Sequence, residues 1–473
     1  MNDFILSDEV NSEKCFILNR AEIEKRLDPF YYVPSIKKLE EEVKNKGSLP
    51  LRAFVENISS GATPKTAEKE KYYSDEEHGI PFLRVQNLSP TGFLKLENCK
   101  YINEETHNNY LKRSQVEGGD LLVKITGVGR MAVASVAPDG FIGNTNQHMV
   151  VIKTKDKETS KILASYLNTD IGEMLASRRA TGGTRPALDY PALLSIPIIF
   201  DNKILEIYKS AIESKKQKEK QAKELLDSID EYLLNELGIT LPEVDNSLEK
   251  RIFQVNLSDV SCGRFDPDYK IKIDNINSLM WKYDLVELKH LMIGSAQYGA
   301  NETAQEYKKD DDIRYIRITD IDEMGTLKQD NIKTADKIES QYILNYNDIL
   351  FARSGSVGRC YIHKDIEKKA IFAGYLIRFI LDAKKINLDY FFYYCHSSIY
   401  KYWVSAIERP AVQSNINSEE YKSLKVPLPP IERQNEIAGH IQNIRDKANQ
   451  LKNEAVQDLE NAKDEVKQMI LGQ

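Results

Sequence analysis

The chain has no apolar run near the roughly 18 residues that cross a bilayer, and its start, MNDFILSDEVNSEKCF, lacks the basic-then-apolar order of a signal peptide. A cytoplasmic location away from any membrane is the expectation. Cysteine is scarce: Cys15, Cys99, Cys262, Cys360 and Cys395 are scattered, odd in number and free of any Cys-x-x-Cys, which points to reduced thiols and not to a disulfide framework. CYIH at Cys360 and CH at Cys395 are metal-like pairs without a matching second pair, so they read as ordinary buried or surface residues and not as a zinc site. An excess of positive charge is missing too, since 65 Lys and Arg against 72 Asp and Glu leave a net charge of -7. That balance does not exclude a nucleic-acid partner, because net charge averages over faces and phosphate binding depends on local basic patches.

Catalytic equipment is the next absence. LLVKITGVGRMAVASVAPDG, residues 121–140, breaks a strand-like apolar run at glycines beside a basic residue, which raises the question of a phosphate-binding loop. Such a loop needs Gly, four spacers and Gly-Lys-Ser/Thr, whereas Gly127 and Gly129 are one residue apart and Arg130 precedes Met131. MAVASV then alternates like a strand and opens no helix, so the dinucleotide fingerprint fails as well and a strand-turn-strand is expected. APDGFIGNTNQHMVVIK offers Asp139 and Lys153 without the acidic cluster that holds Mg2+. No Gly-x-Ser-x-Gly elbow occurs, and the seven histidines show no repeated pairing with Cys or Ser. DPFYY at Asp28 falls short of the Asp-Pro-Pro-Tyr loop of amino-methyltransferases, because Phe30 replaces the second proline, and it reads as a structural turn. No catalytic residue, metal site or resident cofactor is expected.

What the chain does have is length and a repeat. Its 473 residues exceed one ordinary core and suggest two to four domains, and 41% hydrophobic with 29% charged residues suits a soluble globular protein. GDLLVKITGVGRMAVAS from Gly119 lines up with NDILFARSGSVGRCYIH from Asn347, with Ser356 inserted in the turn. Upstream, IPFLRVQNLSPTGFLK from Ile80 matches IRYIRITDIDEMGTLK from Ile313, and RLDPFYY at Arg26 answers RFDPDYK at Arg264. ENISSGATPKTAEKEKYY at Glu56 takes the place of HLMIGSAQYGANETAQEYKK at His290, and the stretches from Tyr166 and Tyr394 are parallel. The order of the blocks is the same in both halves.

Each half closes on a long charged stretch that reads as a helix. The first, about Asn202 to Leu237, follows a capping Asp201 and stops at Gly238. The second begins after PLPPIERQNE, with Pro429 and Pro430 barring an earlier start, and runs to about Leu471. Ile441, Ala448, Ala455, Ala462 and Met469 recur every seven residues beside Ile437, Ile444 and Leu451, a coiled-coil seam. Ile204, Ala211, Leu225 and Tyr232 make a similar row in the first helix, interrupted by SKKQKEKQ from Ser214, which reads as a solvated face. The expected fold class is α+β: two similar mixed α/β domains linked by two long antiparallel helices, a coiled-coil spacer with pseudo-twofold symmetry. The boundaries are 1–200, a first domain; 201–240, the first spacer helix; 241–429, a second domain; and 430–473, the second spacer helix.

Two variable half-chains, the IPFLRV, GDLLVKITGVGR and NDILFARSGSVGR blocks and the PLPPIERQNEI helix start together resemble the DNA specificity subunit of Type I restriction-modification systems, from about Arg26 onward. The resemblance implies two target-recognition domains, each reading one half of a bipartite, asymmetric site on double-stranded DNA, and a helical spacer that sets the gap. It implies two modification (methyltransferase) subunits carrying S-adenosylmethionine, and restriction/translocase subunits carrying ATP and Mg2+. The specificity subunit itself catalyses nothing. SIPIIFDNKILEIY lacks the Pro-Pro of the second helix start, and DPFYY and DPDYK are also similar to specificity subunits of related Type II systems, which keeps that alternative beside a non-DNA tandem scaffold.

Reading bases takes side chains with paired donors and acceptors on loops or strands. In the first half these are Thr63, Lys65, Thr66, Arg84, Gln86, Asn87, Lys124, Thr126, Arg130, Arg178, Arg179, Thr181 and Arg185, with the basic, glycine-flexible SRRATGGTR the clearest DNA contact. In the second they are Gln297, Tyr298, Asn301, Arg317, Thr319, Arg353, Ser354, Arg359, Arg409, Gln413 and Asn415. Residues shared by both halves, Arg84 with Arg317 and Arg130 with Arg359, are expected to fix the fold or touch phosphates, which position without specifying. Differences are expected to carry the sequence: Gln86 and Asn87 against Thr319 and Asp320, and Lys124 against Ala352.

Overall fold

The computed structural model describes residues 6–7, 10–24, 26–241, 247, 252, 254–256, 264, 266–307, 312–408 and 414–472. The chain divides into two compact units, Met1–Glu219 with Lys452–Gln473, and Lys220–Leu451. The long helices are therefore not bodies of their own, as the four-part division expected; each gives one half to either unit.

The first unit runs through α1 (Pro34–Asn45), β1 (Asn57–Ser60), β2 (Ile80–Leu83), β3 (Leu121–Lys124), β4 (Ala134–Val136), β5 (Ile142–Thr145), β6 (Met149–Lys153), α2 (Lys157–Leu167), α3 (Asp170–Arg179) and the start of α4 (Asn202–Leu237). β3 pairs antiparallel with β4 on one side and β6 on the other, and β6 carries β1 on its far edge. β2 and β5 pair in parallel in a separate sheet. The second unit repeats this through α5 (Pro267–Ser278), β7 (Gln297–Tyr298), β8 (Arg314–Ile316), β9 (Ile349–Ala352), β10 (Cys360–Ile362), β11 (Ala370–Phe372), β12 (Leu376–Phe379), α6 (Leu388–Tyr394), α7 (Ser398–Ile407) and the start of α8 (Ile431–Leu471). Here β9 takes β10 and β12 as antiparallel neighbours, β12 carries β7, and β8 pairs in parallel with β11. The repeat in the sequence is a repeat in register on one side of the central strand, where Leu121 lies opposite Ile152 as Ile349 lies opposite Phe379. On the other side the hairpins differ, Leu121 facing Val136 but Ile349 facing Ile362, three residues nearer along the aligned chain.

Every residue of β3 and of β9 is buried, as continuous apolar runs covered on both faces require. The two cores use different residues. The first packs aliphatic Leu121, Val123, Val150 and Ile152, whereas the second stacks Phe351 on Tyr421 with ring centroids 4.7 Å apart and sets it edge-on to Phe379 and Phe391. Cys360 and Cys395 belong to this second core, and burial, with the Cys360 thiol beside it, pushes the Cys395 thiol up.

The Arg-x-Asp-Pro segments close each unit in the same way. Arg26 binds Asp28 and donates to the carbonyls of Arg179 and Ala180 at the end of α3, while Arg264 binds Asp266 and donates to Ile407 and Glu408 at the end of α7. Each guanidinium meets carbonyls that a helix end leaves without partners, a favourable place for a cation. The structural turn expected at Asp28 is thus a clasp on a helix C-terminus.

The spacer helices run Asn202–Leu237 and Ile431–Leu471, the second starting directly after Pro430. Within the first unit Ser214 bonds Asp458 and Lys218 pairs with Glu454 and Asp458; within the second Glu236 pairs with Arg433 and Tyr232 packs on His440. Both sets run antiparallel. In α8 the heptad alanines Ala448, Ala455 and Ala462 are buried with Ile441. In α4 the beat differs from the expected row: Ala211, Ala222 and Leu233 are buried at steps of eleven, a 3.67-residue period that keeps a seam on one side of a nearly straight helix, while Leu225 and Tyr232 are half-buried. The polar SKKQKEKQ segment is not wholly solvated, since the Ser214 and Lys218 heads reach the acids of α8.

α1 and α3 are joined by a buried ionic cluster. Glu40 accepts from Arg179 at 2.7 and 3.0 Å and from Arg178, and burial, which raises its pKa, is outweighed by Arg179, Lys44 and Arg178, leaving it at about 2. The second unit fills the corresponding helix pair with Ile273, Ala406 and Ile407. Removing one partner of a buried ionic group strands the others, so Glu40→Gln is expected to lower the stability of the first unit by about 3–5 kcal/mol in urea unfolding; an unchanged midpoint would contradict this. A carboxyl whose folded value lies below its ordinary 4.5 binds fewer protons when folded, so its contribution is complete above pH 4.5 and is lost as the pH falls towards about 2. A loss of stability over that window that is smaller in Glu40→Gln than in the wild type is the expected readout.

Candidate nucleic-acid interface

β3 ends at Lys124, and the chain leaves it as the TGVGR loop. Gly127 and Gly129 take φ of 123° and 80°, conformations costly for side-chain-bearing residues, and Val128 between them projects to solvent at 79% exposure. The loop is held by two flanking segments: Ile125 N donates to His148 O at 3.0 Å, and Leu188 N donates to Ile125 O at 2.8 Å. Three distant stretches, 84–86, 124–128 and 146–148, therefore converge with Arg185 on one shallow hollow of about 250 Å³. Arg84, Gln86, Lys124, Thr126 and Arg185 line it, together with Asn146 and His148, and no carboxylate does. Thr63 joins the rim through Gln147, at 2.6 Å, and Arg185 donates to His148 Nε2 at 3.2 Å. Burial and the Arg185 charge hold the His148 pKa below the usual histidine range, so the ring is neutral near pH 7 and serves as an acceptor.

The second unit builds the same place differently. Arg353 N donates to Tyr375 O and Ile416 N to Arg353 O, each at 2.9 Å, which matches the His148 and Leu188 contacts of Ile125. Ser354 bridges to Asn415 as Thr126 bridges to Ala187. In place of His148 and Arg185 stand the exposed Tyr375 and an Arg353 guanidinium 4.8 Å above the Tyr298 ring.

Several expected contacts are corrected by their surroundings. Arg178 and Arg179, the clearest expectation, do not sit in a basic loop; they form the last turn of α3, are 6% and 7% exposed, and are held by Glu40, Tyr31 O and Ser195. The loop proper begins after them, with exposed Thr181 and Arg185. Lys124 is 5% exposed and donates to Val128 O and Arg130 O at 2.8 and 2.9 Å, so it braces the loop from below. In the second unit, where Ala352 replaces it, the brace is aromatic: Tyr421 receives Gly358 N and donates to Ala352 O, and Tyr400 donates to Gly358 O. The Lys124 to Ala352 difference is thus one of support and not of target.

Asn87 and Asp320, expected to distinguish the halves, do one job. Each is buried and accepts the backbone N–H of its arginine, Arg84 or Arg317, at 2.9 Å. Those arginines in turn donate to Asn98 O and Asn331 O, both at left-handed turns. Arg130 grips Asn168 O and Thr169 O and pairs with Asp170, while Arg359 donates to Ile321 O. The shared arginines thus make contacts within the fold, and Arg84 also lines the hollow.

Gln297 accepts from Arg378 and donates to Gln341 O, and Ser354 is buried. Gln86, Thr63, Thr319 and Asn301 are exposed, Asn415 is half-buried, and exposed Lys65 sits 3.7 Å from Glu68. Arg409, Gln413 and the Thr66 side chain lie outside the described residues. His148 and Gln147 were missed, as was Tyr375. Aligning TNQHMVVI with FAGYLIRF, which sets His148 against Tyr375, would have exposed them, since the repeat preserves the strand and changes what precedes it.

Among the described residues no His, Cys, Asp and Glu group is placed to hold a metal, and no helix is long and apolar enough to cross a membrane. The family profile described as Type I restriction modification DNA specificity domain matches twice, over residues 55–224 and 293–461, more than half of the chain. The chain is 22% identical over 411 residues to the Type I restriction enzyme EcoBI specificity subunit of Escherichia coli, covering 82% of this chain and 77% of that protein. A shorter stretch, 28% identical over 135 residues, covers 28% of this chain and 32% of the Type I restriction enzyme MjaVIII specificity subunit of Methanocaldococcus jannaschii. A solved Type I restriction-modification S subunit from M. genitalium is similar at 13% identity and a TM-score of 0.38, over 90% of this chain and 94% of that one. With the profile matched twice, on the segments that build the two strand tips, the chain belongs to the DNA specificity subunit family of Type I restriction-modification systems.

Proposed function

We propose that each unit reads one half of a bipartite, asymmetric site on double-stranded DNA through the groups at the tip of its central strand. One observation carries this reading: the frames are alike in the register of β3 on β6 and of β9 on β12, while the groups presented at the tips differ, Arg185 with neutral His148 in one and Arg353 with Tyr298 and Tyr375 in the other. A repeat kept for structure alone has no need to vary at its exposed tip. The first hollow, cationic and without carboxylates, suits phosphate and base edges in a protein of net negative charge.

The subunit recognises and does not catalyse. Methyl transfer falls to two modification subunits that carry S-adenosylmethionine, and cleavage to restriction/translocase subunits that use ATP and Mg2+. The α4–α8 pair sets the gap between half-sites, because a helix lengthens by a fixed 1.5 Å per residue.

Two experiments test this. In the complex with its modification subunits, Arg185→Ala is expected to weaken duplex binding about tenfold without changing thermal stability. Arg178→Ala is expected to lower thermal stability, and the reverse pattern would remove the hollow from the interface. Inserting one heptad at Ser214 and another opposite it at Asp458 is expected to widen the gap in the methylated motif by about three base pairs, roughly 10 Å of helix, with both half-site sequences retained. An altered half-site sequence at an unchanged gap would defeat the spacer role.

A further inference from the structure

Among the described residues, the guanidinium groups of the arginines near the strand tips other than Arg353 are hydrogen-bonded. Arg84 and Arg317 hold left-handed turns, Arg130 and Arg359 hold carbonyls, and Arg378 binds Asp348. Arg353 differs in that, among the described residues, its guanidinium has no carbonyl or carboxylate partner; a buried Nε without a hydrogen bond it shares with Arg84, Arg130 and Arg378. What fixes it is stacking, 4.8 Å above the Tyr298 ring. That ring is itself anchored, because its hydroxyl lies 3.3 Å from both Ser418 N and Ser418 Oγ. The Arg353 backbone is pinned on both sides by Tyr375 O and Ile416 N.

A guanidinium held over a ring spends its face on the contact and keeps its N–H donors for another partner, and the contact limits rotamer freedom before any ligand arrives. Arg353 is half-buried, so part of it meets solvent. A fixed planar fork of donors matches two adjacent acceptors. Among base edges in the major groove, guanine alone offers that pair, O6 and N7; adenine pairs an acceptor with a donor, and thymine offers one acceptor and a methyl group. We propose that Arg353 reads a guanine in the half-site of the second unit, with Tyr298 as the platform that aims it. This rests on the half-site reading above and names the base.

The test is single-molecule methylome sequencing of a host carrying the whole system, with the wild-type chain, Arg353→Lys and Arg353→Ala. Lysine keeps the charge and loses the fork, and it guards against an unfolded alanine variant; thermal melting of each complex checks folding. The expected result is a G·C pair at a fixed position of one wild-type half-site, with methylation of sites carrying it reduced about 10- to 100-fold in both variants. That position alone is relaxed, and the other half-site is unchanged. A wild-type motif retained letter for letter by both variants overturns the proposal alone, as does an equal loss at every position. A methylome with no motif that depends on the chain overturns the half-site reading and the proposal with it.

Discussion

The buried central strand is the constraint on which each unit depends. β3 and β9 are covered on both faces along their whole length, so neither can slide without moving its side chains out of the core. Their ends are therefore fixed points, and a loop that springs from such a point can vary in sequence while keeping its place. A one-residue slip would turn every side chain to the other face, which makes register the property the two copies share most strictly.

Fixing a point still leaves the loop's own carbonyls to be satisfied. The two units solve this with different chemistry: the Lys124 ammonium below one loop, the Tyr421 and Tyr400 hydroxyls below the other. Burial holds the Lys124 pKa below the usual lysine range, consistent with a strut and not a solvent-facing contact. The same freedom appears between the helices, where Glu40 with two arginines in one unit corresponds to aliphatic side chains in the other. A buried ionic cluster and an apolar cluster of similar volume are near equivalents in stability, so a duplicated fold can drift between them.

Much of this was legible in the sequence, because a repeat is visible before any fold is known. The ordered blocks located both units, Asp201 and Gly238 marked the ends of the first long helix, and the alanine heptads marked the seam of the second. Site residues were harder, for a reason Arg178 and Arg179 make plain. A basic run beside glycines looks like a nucleic-acid loop, but its partner Glu40 lies 138 and 139 residues away, and no local pattern announces a buried ion pair. Asn87 and Asp320 misled in the opposite sense, differing in letter while capping the same turn. His148 and Tyr375 escaped because neither belongs to a motif; only their equivalent positions beside the strand tip give them meaning.

The account's central claim is that one frame, carrying two different tips, gives one asymmetric site. It is tested most directly by a chain whose second unit carries the tip segments of the first, those around Gln86, Gly127, His148 and Arg185, assembled with its partners and followed by methylome sequencing. The account predicts a motif in which the first half-site appears twice in opposite orientation about the original gap. Retention of the original asymmetric motif would contradict it.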